Sequence, residues 1–390
     1  MHFIETDEQL MLRESVAKLA AGFGHSYYVE KAKADGRATE LWRAVAEHGF
    51  AGVNLPEAYG GGGQGMTELA IVAEELAAAG CPLLLLVVSP AIAGNVIARF
   101  GSDEQRQRWL PRLADGSEIM AFAITEPDAG SNSHRLSTTA VRDGDEYRLN
   151  GTKYYISGVD EASNILVVTR TGVDEDSGRG KLSLFVVPTD APGLTKTVIP
   201  VEIVAPEKQY TLFFDDVRVP AENLIGAEGD GLRQVFVGLN PERIMGAAGG
   251  IGIGRYALAK ASAYAKERRV WDVPIGMHQG VAHPLAEAFV DVELARLMLQ
   301  KACWLYDNGH DASEAANIAK FAAAEASLRA LDQAIQTHGG NGFALEYGLT
   351  QLWWGVRLTR TAPVSREMIL NYVAEHSLGL PKSYGPGLGA

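Results

Sequence analysis

Cysteine, positive charge and long apolar runs are all scarce in this chain. The 390 residues contain only two cysteines, Cys81 and Cys303, which lie far apart and in no spacing typical of zinc or iron-sulfur ligands. We therefore expect no metal site and a reduced, cytoplasmic protein. The 35 basic and 48 acidic residues give a formal net charge of -13. This balance argues against nucleic acid or an anionic membrane surface as the main partner.

The longest apolar run covers residues 82–93 and is interrupted by Ser89-Pro90. It is shorter than the ~20 residues that span a bilayer, and the acidic amino terminus lacks the apolar core of a signal peptide. We therefore predict a protein without membrane insertion. Apolar residues make up 47% of the chain, which is sufficient for two or three packed regions.

The hydrophobic pattern divides the chain into three parts. Residues 1–117 have helical periodicity, and Thr6 and Gln9 form a capping box before the first helix. Residues 118–228 have the pattern of strands, including a hairpin over 147–157 that turns at Asn150-Gly151. Residues 229–390 are helical again and end in a tail rich in glycine and proline. We predict the helices of this last part at about 232–269, 284–307, 312–337, 344–360 and 364–377.

A short stretch at residues 121–131 combines a strand pattern with a rigid turn. Phe122 and Ile124 alternate with small or polar residues, and the turn residues 126–130 end the strand. Such a loop is either an ordinary hairpin corner or a concave ligand surface. In the second case Thr125 and Ser131 would flank the ligand, and Gly130 would allow its close approach.

Two glycine-rich segments suggest nucleotide binding only superficially. Residues 58–65 favour a mobile connection over a phosphate cradle, because no strand precedes them and no P-loop lysine follows. The pattern Gly250-Ile-Gly252-Ile-Gly254 has Arg255 at the position of the last glycine of a dinucleotide fingerprint, and no strand leads into it. We therefore reject a Rossmann fold here.

Glu242 is the most interesting ionisable residue of the carboxyl-terminal part. It lies one turn before Gly246, on a helix face of small residues. Partial loss of water there would raise its pKa from about 4.3 toward the ~6 to 7 of a general base. A helix capped at Asn240-Pro241 would instead lower the pKa. The residues alone leave open whether Glu242 is a base or a structural acid paired with Arg243.

In order and spacing, these segments resemble the acyl-CoA dehydrogenase flavoproteins over nearly the whole chain. The resemblance implies an α+β fold with a helical domain at 1–117, a β-barrel-like domain at 118–228, and a four-helix bundle domain with a tail at 229–390. It also implies FAD as cofactor, an acyl-CoA thioester as substrate and an electron-transfer flavoprotein as electron acceptor. In this family a glutamate removes the α-proton of the thioester while the β-hydrogen leaves as hydride to the flavin.

The position of that glutamate distinguishes branches of the family. Most members carry it in a Tyr-Glu-Gly-Thr segment, which matches residues 361–364 here and has Ala362 in place of the glutamate. Isovaleryl- and long-chain-like members carry it on a helix before an arginine, and Glu242-Arg243 resembles that arrangement. The resemblance therefore implies that Glu242 is the catalytic base.

The remaining family positions are transferred one by one. The residues that resemble cofactor-binding positions are Phe122, Ile124, Thr125, Gly130, Ser131, Tyr155, Ile156, Ser157, Arg268, Trp271, Ile275, His278, Gln279, Gln336, Gly339, Gly340, Val364 and Arg366. Those that resemble substrate-binding positions are Ser131, Asn240, Arg243 and Ala362. Residues 268–279 match a segment that reaches the flavin of a neighbouring subunit, so a homotetramer is implied.

The resemblance implies which groups stabilise the intermediate of the reaction. A thioester enolate needs hydrogen-bond donors, which in this family are a flavin ribityl hydroxyl and the N–H at the position of Ala362. Two alternatives to the dehydrogenase function are open. One is a flavin oxidase or monooxygenase of the same fold, and the other is a non-catalytic subunit that binds acyl-CoA in a heteromeric dehydrogenase.

Overall fold

A computed structural model of the protein describes residues 4–175 and 178–383, so residues 384–390 of the predicted tail lie outside the described part. The amino-terminal helices are α1 (Asp7–Ala21), α2 (Gly24–Lys33), α3 (Thr39–Glu47), α4 (Met66–Ala78), α5 (Asn95–Phe100) and α6 (Asp103–Ala114), with a π-helical segment at Val87–Gly94. The predicted capping box is confirmed, because the Thr6 hydroxyl accepts the Gln9 N–H at 3.2 Å and the Gln9 side chain accepts the Thr6 N–H at 3.0 Å. Within the described ranges, no helix is long and apolar enough to cross a bilayer.

A network of charges ties the amino-terminal helices to the carboxyl-terminal ones. Arg13 of α1 contacts Glu75 of α4, and Arg255 from a later helix contacts both Glu74 and Glu75 at 2.5 Å. Both glutamates are buried, so the arginines satisfy charges that would otherwise be costly inside the protein. The helical parts on either side of the β domain therefore form one packed body.

The described residues of the middle part form a sheet of eight strands. These are β1 (Met120–Ala123), β2 (Thr139–Asp143), β3 (Glu146–Ser157), β4 (Asn164–Val173), β5 (Gly180–Pro188), β6 (Leu194–Ile199), β7 (Gln209–Pro220) and β8 (Leu224–Ile225). Their order is β6-β7-β3-β2-β4-β5-β8, and β1 pairs in parallel with β4. All four residues of β1 are buried because the strand packs between the sheet and the π-helical segment. The predicted alternation through Ile124 is therefore wrong, and the strand ends before that residue.

The predicted hairpin at Asn150-Gly151 is also wrong. Strand β3 runs straight through this dipeptide, with a register shift against β7 between Leu149 and Gly151. The turn into β3 lies earlier, at Gly144-Asp145. The Asn150 side chain accepts the Asp216 N–H at 2.9 Å, so this residue supports the irregularity instead of forming a turn.

The carboxyl-terminal part contains three long helices and two short ones. They are α7 (Gly231–Glu267), α8 (Gln279–Asp307), α9 (Ser313–His338), α10 (Trp353–Leu358) and α11 (Arg366–Tyr372), with a small ribbon of β9 (Arg269–Val270) and β10 (Val273–Pro274) after α7. The predicted helix at 344–360 is wrong over its first half, where short 3-10 turns surround Gly348 in a left-handed conformation. The helix predicted at 364–377 is shorter, because Ser365 caps its start and its last turn is π-helical.

Helix α7 continues through Pro241, as the predicted helix at 232–269 does, so the alternative of a helix capped at Asn240-Pro241 is excluded. Proline has no N–H and leaves the carbonyl of residue 237 without its usual helical partner. The Tyr306 hydroxyl of α8 donates to the Val237 carbonyl at 3.3 Å and replaces that bond. Glu242 is therefore in the interior of a long helix, away from the positive end of any helix.

Candidate active site

Helix α7 lies close to the loop 361–364 one turn beyond Glu242. Gly246 lies one turn after Glu242 on α7, and a β-carbon added to Gly246 would be 3.5 Å from the Pro363 ring. On the far side, the Lys320 ammonium of α9 donates a hydrogen bond to the Val364 carbonyl. Gly246 and Lys320, whose charge acts on Glu242, therefore both link the surroundings of Glu242 to the loop 361–364.

The environment of Glu242 favours the protonated form. Burial is the largest influence and raises the pKa of this carboxyl to about 7, although the charges of Arg243 and Lys320 lower it. The side chain still retains some contact with solvent. Within the described ranges, no hydrogen bond or ion pair holds the carboxylate. Such a group has a proton affinity suited to general base catalysis at neutral pH.

The positive charges around Glu242 are themselves poorly solvated. Burial lowers the pKa of Lys320 to about 8, and it also lowers the pKa of Arg243. The Arg243 guanidinium donates to Asn240 at 3.1 Å and to the Leu239 carbonyl at 3.4 Å. Its buried Nε has no partner among the described residues. Two predicted substrate residues, Asn240 and Arg243, are therefore linked to each other beside Glu242.

The backbone of Ala362 differs from the family-based expectation. Its N–H donates to the Leu358 carbonyl at 2.9 Å, so it is engaged within its own loop. Pro363 follows through a cis peptide bond. Ala362 could stabilise a thioester oxygen only if this bond were broken or shared.

The loop after β1 is closed by its own backbone. The N–H groups of Glu126 and Ala129 bond reciprocally to each other's carbonyls at 3.1 and 3.2 Å. Thr125 is half-buried, and its carbonyl accepts the Tyr154 N–H at 2.9 Å. Gly130 and the exposed Ser131 follow, and a β-carbon at Gly130 would meet no atom within 4 Å. The structure therefore presents the predicted loop as an ordered rim with open space beside it.

The segment 155–157 lies next to this loop. Tyr155 has a φ of 56° and its ring is 52% exposed, with its centroid 4.4 Å from that of Tyr154. Ile156 is buried, and the Ser157 hydroxyl donates to Gln209 at 2.9 Å. A positive φ is uncommon for a residue other than glycine, and it turns the Tyr155 side chain out of the strand alternation. The hydrogen bond from the Tyr154 N–H to the Thr125 carbonyl places this segment of β3 beside the residues that follow β1.

The sequence analysis missed two charged residues in this region. Lys153 and Glu126 form an ion pair of 2.9 Å that is almost completely buried. Their only signal in the sequence was a lysine within a strand pattern and a glutamate next to the predicted ligand loop.

A second group of predicted cofactor residues lies around the end of α7. Arg268 caps this helix, and its carbonyl accepts the Ile275 N–H at 2.8 Å. Trp271 is 84% exposed with a φ of 49°, and its ring centroid is 6.0 Å from that of His278. His278 caps α8, whose first residue Gln279 is exposed.

The loop after α9 adjoins this second group. Tyr264 of α7 stacks on His338 with centroids 4.3 Å apart, and its hydroxyl accepts a hydrogen bond from Asn341 at 3.1 Å. Gln336, Gly339 and Gly340 are exposed here. Among the described residues, no hydrogen bond joins this group to the loop after β1.

The two remaining cofactor assignments fall next to helix α9. Val364 is held by Lys320, as described above. Arg366 donates to Glu325 at 3.1 Å, and its guanidinium lies 5.2 Å from the centre of the Phe321 ring. Arg366 is thus already engaged within its own chain.

The glycine-rich loop at 58–65 is not a phosphate cradle. The N–H groups of residues 60–64 donate to carbonyls between Gly52 and Glu57. Gly61 packs so closely that an added β-carbon would be 2.2 Å from the Leu55 carbonyl oxygen. The loop is therefore a packed structural turn whose donors are used internally.

Comparisons with known proteins identify the family. Three family models match in order: the acyl-CoA dehydrogenase N-terminal domain over residues 6–117, the middle domain over 121–217 and the C-terminal domain over 229–378. The acyl-CoA dehydrogenase FadE12 of Mycobacterium tuberculosis is 58% identical over 386 residues, covering 98% of this chain and 99% of the relative.

Solved structures agree with this result. The glutaryl-coenzyme A dehydrogenase glutaryl-CoA complex has a TM-score of 0.91 at 31% identity, covering 98% of each chain. A structure of PigA with FAD and proline has a TM-score of 0.91 at 27% identity, covering 97% of this chain and 100% of the other. The predicted α+β fold, with a sheet domain between helical ones, is confirmed. The chain belongs to the acyl-CoA dehydrogenase family of oxidoreductases.

Proposed function

We propose that the protein is an FAD-dependent dehydrogenase that converts an acyl-CoA thioester into its trans-2-enoyl-CoA, in the cytoplasm, and passes the electrons to an electron-transfer flavoprotein. One observation carries the proposal: Glu242, whose pKa burial raises to about 7, lies one helical turn before Gly246, which adjoins the loop where alanine stands at the position of the usual glutamate. The similarity to FadE12 and to glutaryl-coenzyme A dehydrogenase supports acyl-CoA as the substrate class.

In this proposal Glu242 takes the α-proton on its carboxylate. A thioester α-proton is a weak acid, so a base with a pKa near neutrality abstracts it more effectively than an exposed glutamate would. Lys320 and Arg243 keep a fraction of the carboxylate ionised at neutral pH, since their charges oppose the effect of burial. Substrate binding would remove further water, which would strengthen both the effect of burial and the effect of the two positive charges on the pKa of Glu242.

The residues of the loop after β1 fit a flavin. Thr125 and Ser131 offer hydroxyl groups, Gly130 borders open space and Tyr155 offers an exposed ring face. FAD, when bound, supplies the acceptor for the hydride that leaves the β-carbon. The protein orients the thioester between this loop and Glu242, with Asn240, Arg243 and Ser131 as the proposed substrate contacts.

The group around Arg268 supports a cofactor site shared between subunits. The exposed residues of this group are Trp271, Gln279, Gln336 and Gly340. Within the described ranges, none of them forms a hydrogen bond with the loop after β1 of the same chain. We propose that these residues hold the FAD of a neighbouring copy in a homotetramer.

The test is anaerobic titration of the purified protein with a panel of acyl-CoA thioesters. We expect a yellow protein whose absorbance near 450 nm is lost on reduction. The Glu242→Gln variant should keep its colour and lose flavin reduction by a factor of ~10² or more. Glu367→Gln, an exposed carboxylate near Lys320, is the control and should remain active. Full activity of Glu242→Gln would refute the base assignment.

The similarity to the prolyl acyl carrier protein oxidase AnaB, with a TM-score of 0.89 at 27% identity, favours a second candidate, a flavin oxidase of the same fold. Reoxidation in air separates the two. A dehydrogenase reduced by acyl-CoA regains its colour slowly in air and rapidly with an electron-transfer flavoprotein, whereas an oxidase regains it rapidly in air alone.

A further inference from the structure

We propose that the buried ion pair of Lys153 and Glu126 positions the loop 124–131 and thereby sets the affinity of the protein for FAD. The inference rests on the proposed function for the identity of the ligand. The ordering of the loop, by contrast, follows from the contacts of this chain alone.

Lys153 fixes the loop from strand β3. Its side chain is fully buried, and its ammonium donates to the Ile124 carbonyl and to Glu126 Oε1, both at 2.9 Å. The next residue, Tyr154, donates its N–H to the Thr125 carbonyl at 2.9 Å. Two consecutive residues of β3 therefore hold three consecutive residues of the loop, and Thr125 lies between the two points bound by the lysine.

Glu126 connects the loop to residues 137–138, immediately before strand β2. Its Oε2 accepts the N–H and the hydroxyl of Ser137 at 2.6 and 2.7 Å, and its Oε1 accepts the Thr138 N–H at 2.9 Å. With Lys153 the carboxylate has four donors, which is the number a buried carboxylate can use fully. The Glu126 side chain thus joins the loop 124–131 both to β3 and to the residues before β2.

Both members of the pair are charged at neutral pH. Burial lowers the pKa of Lys153 to about 8, and the charge of Glu126 opposes that change. Burial would raise the pKa of Glu126, but Lys153 and the donors of residues 137–138 reduce it to about 2. Loss of either partner would leave an uncompensated buried charge, which is far more costly than loss of the whole pair.

The rest of the loop is held by the reciprocal backbone bonds of Glu126 and Ala129, so its placement depends on Glu126. Pro127, Asp128 and Gly130 are exposed, and only Ala129 is buried. A loop that adopts the binding conformation in a fraction of molecules has its apparent affinity for the ligand reduced by that fraction. If the variant loop is correct in about a tenth of molecules, the dissociation constant for FAD rises about tenfold.

The experiment uses the full chain after removal of its flavin. Lys153→Met, Glu126→Gln and their double variant are compared with wild type by FAD fluorescence quenching and by hydrogen exchange of residues 124–131. We expect FAD binding about tenfold weaker or worse in each single variant, with faster exchange in this loop. The double variant should lose less affinity than the sum of the single losses, because the residues act as a pair.

Two further variants keep the result interpretable. Arg255→Met removes a guanidinium from the buried network of Glu74 and Glu75; it should lower the unfolding midpoint but leave loop exchange and FAD affinity unchanged. Ser137→Ala removes one donor to Glu126 and keeps the ion pair. If Lys153→Met does not fold, this variant should still show faster loop exchange and weaker FAD binding, both to a smaller extent.

Unchanged loop exchange and FAD affinity in a folded Lys153→Met or Ser137→Ala protein would overturn the inference. An equal loss in Arg255→Met would overturn it as well, because the effect would then be one of general stability. A wild-type protein that binds no FAD would refute the proposed function, while hydrogen exchange would still decide whether the pair orders the loop.

Discussion

Glu242 and Lys320 form a coupled pair of opposite charges next to the predicted site of chemistry. Burial dominates the pKa of both residues, raising that of Glu242 to about 7 and lowering that of Lys320 to about 8. Each charge partly counteracts the effect of burial on the other. The protonation state of Glu242 at neutral pH therefore depends on a residue that contributes from a different helix.

We expect the rate of flavin reduction by acyl-CoA to rise with pH through about 7, because only the ionised Glu242 can accept a proton. Lys320→Met removes a charge that lowers the pKa of Glu242, so the rising limb should move to higher pH. Stopped-flow reduction across pH 5 to 9 measures this shift. Lys260→Met is the matched control, since Lys260 is also a partly buried lysine but lies away from Glu242.

An unchanged pH profile in Lys320→Met, with normal reduction at high pH, would show that the lysine does not influence the base. Loss of activity at every pH would instead point to its hydrogen bond with Val364, which holds the loop 361–364 in place.

Strand β3 shows how tertiary contacts can override a local turn signal. Asn150-Gly151 and Gly144-Asp145 are both typical hairpin sequences, but only the second one turns. At Gly151 the backbone has a φ of 147°, and an added β-carbon would be 2.6 Å from Thr138. The glycine is needed for close approach of two strands, which no local pattern reveals.

Gly151→Ala should therefore destabilise the protein by about 1 to 3 kcal/mol, through steric overlap with Thr138 and an unfavourable φ. Gly144→Ala also places a β-carbon at positive φ, but it meets no atom within 4 Å and should cost only about 1 kcal/mol. Urea unfolding of both variants measures the difference. Equal losses in the free energy of unfolding would show that the steric overlap at Gly151 does not contribute to the destabilisation.

The sequence predicted best where the signal was local or where the chain matched a known family. The capping box of Thr6 and Gln9 needs only neighbouring residues, and both hydrogen bonds are present. The continuity of α7 through Pro241 agrees with the predicted helix at 232–269, but the Tyr306 hydroxyl that replaces the missing bond at Val237 comes from a distant helix and was missed. The same holds for Lys153 and Glu126, whose pairing requires two strands to be placed side by side.

A buried carboxyl also lies between the amino-terminal helices and the sheet. Glu207 is 4% exposed, and its Oε1 accepts the Leu84 N–H at 2.9 Å. Burial raises its pKa to about 7 from an ordinary value of 4.5. The folded protein therefore retains this proton where the unfolded chain loses it, and stability falls as the pH rises from about 4.5 and levels off above about 7.

Glu207→Gln removes the buried charge and keeps an oxygen acceptor for Leu84. We expect the variant to be more stable than wild type at pH 8, with the difference shrinking at pH 5, where the wild-type carboxyl is protonated. Thermal unfolding at the two pH values measures this. Glu202→Gln, on the same loop but exposed, is the control and should follow wild type. A pH-independent difference would contradict the assignment.

The proposed sharing of the cofactor between subunits can be tested by complementation. Glu242→Gln should lack the base, and Arg268→Met should fail to hold the FAD of its neighbour, so each variant alone should be inactive. In a mixed pair, the chain with intact Glu242 receives Arg268 from its partner, and one of the two sites becomes complete. Random mixing of equal amounts should therefore restore about a quarter of wild-type activity. Each variant mixed with itself under the same conditions is the control, and differently tagged copies establish that hybrids have formed. Hybrids without recovered activity would show that every FAD site is built from a single chain.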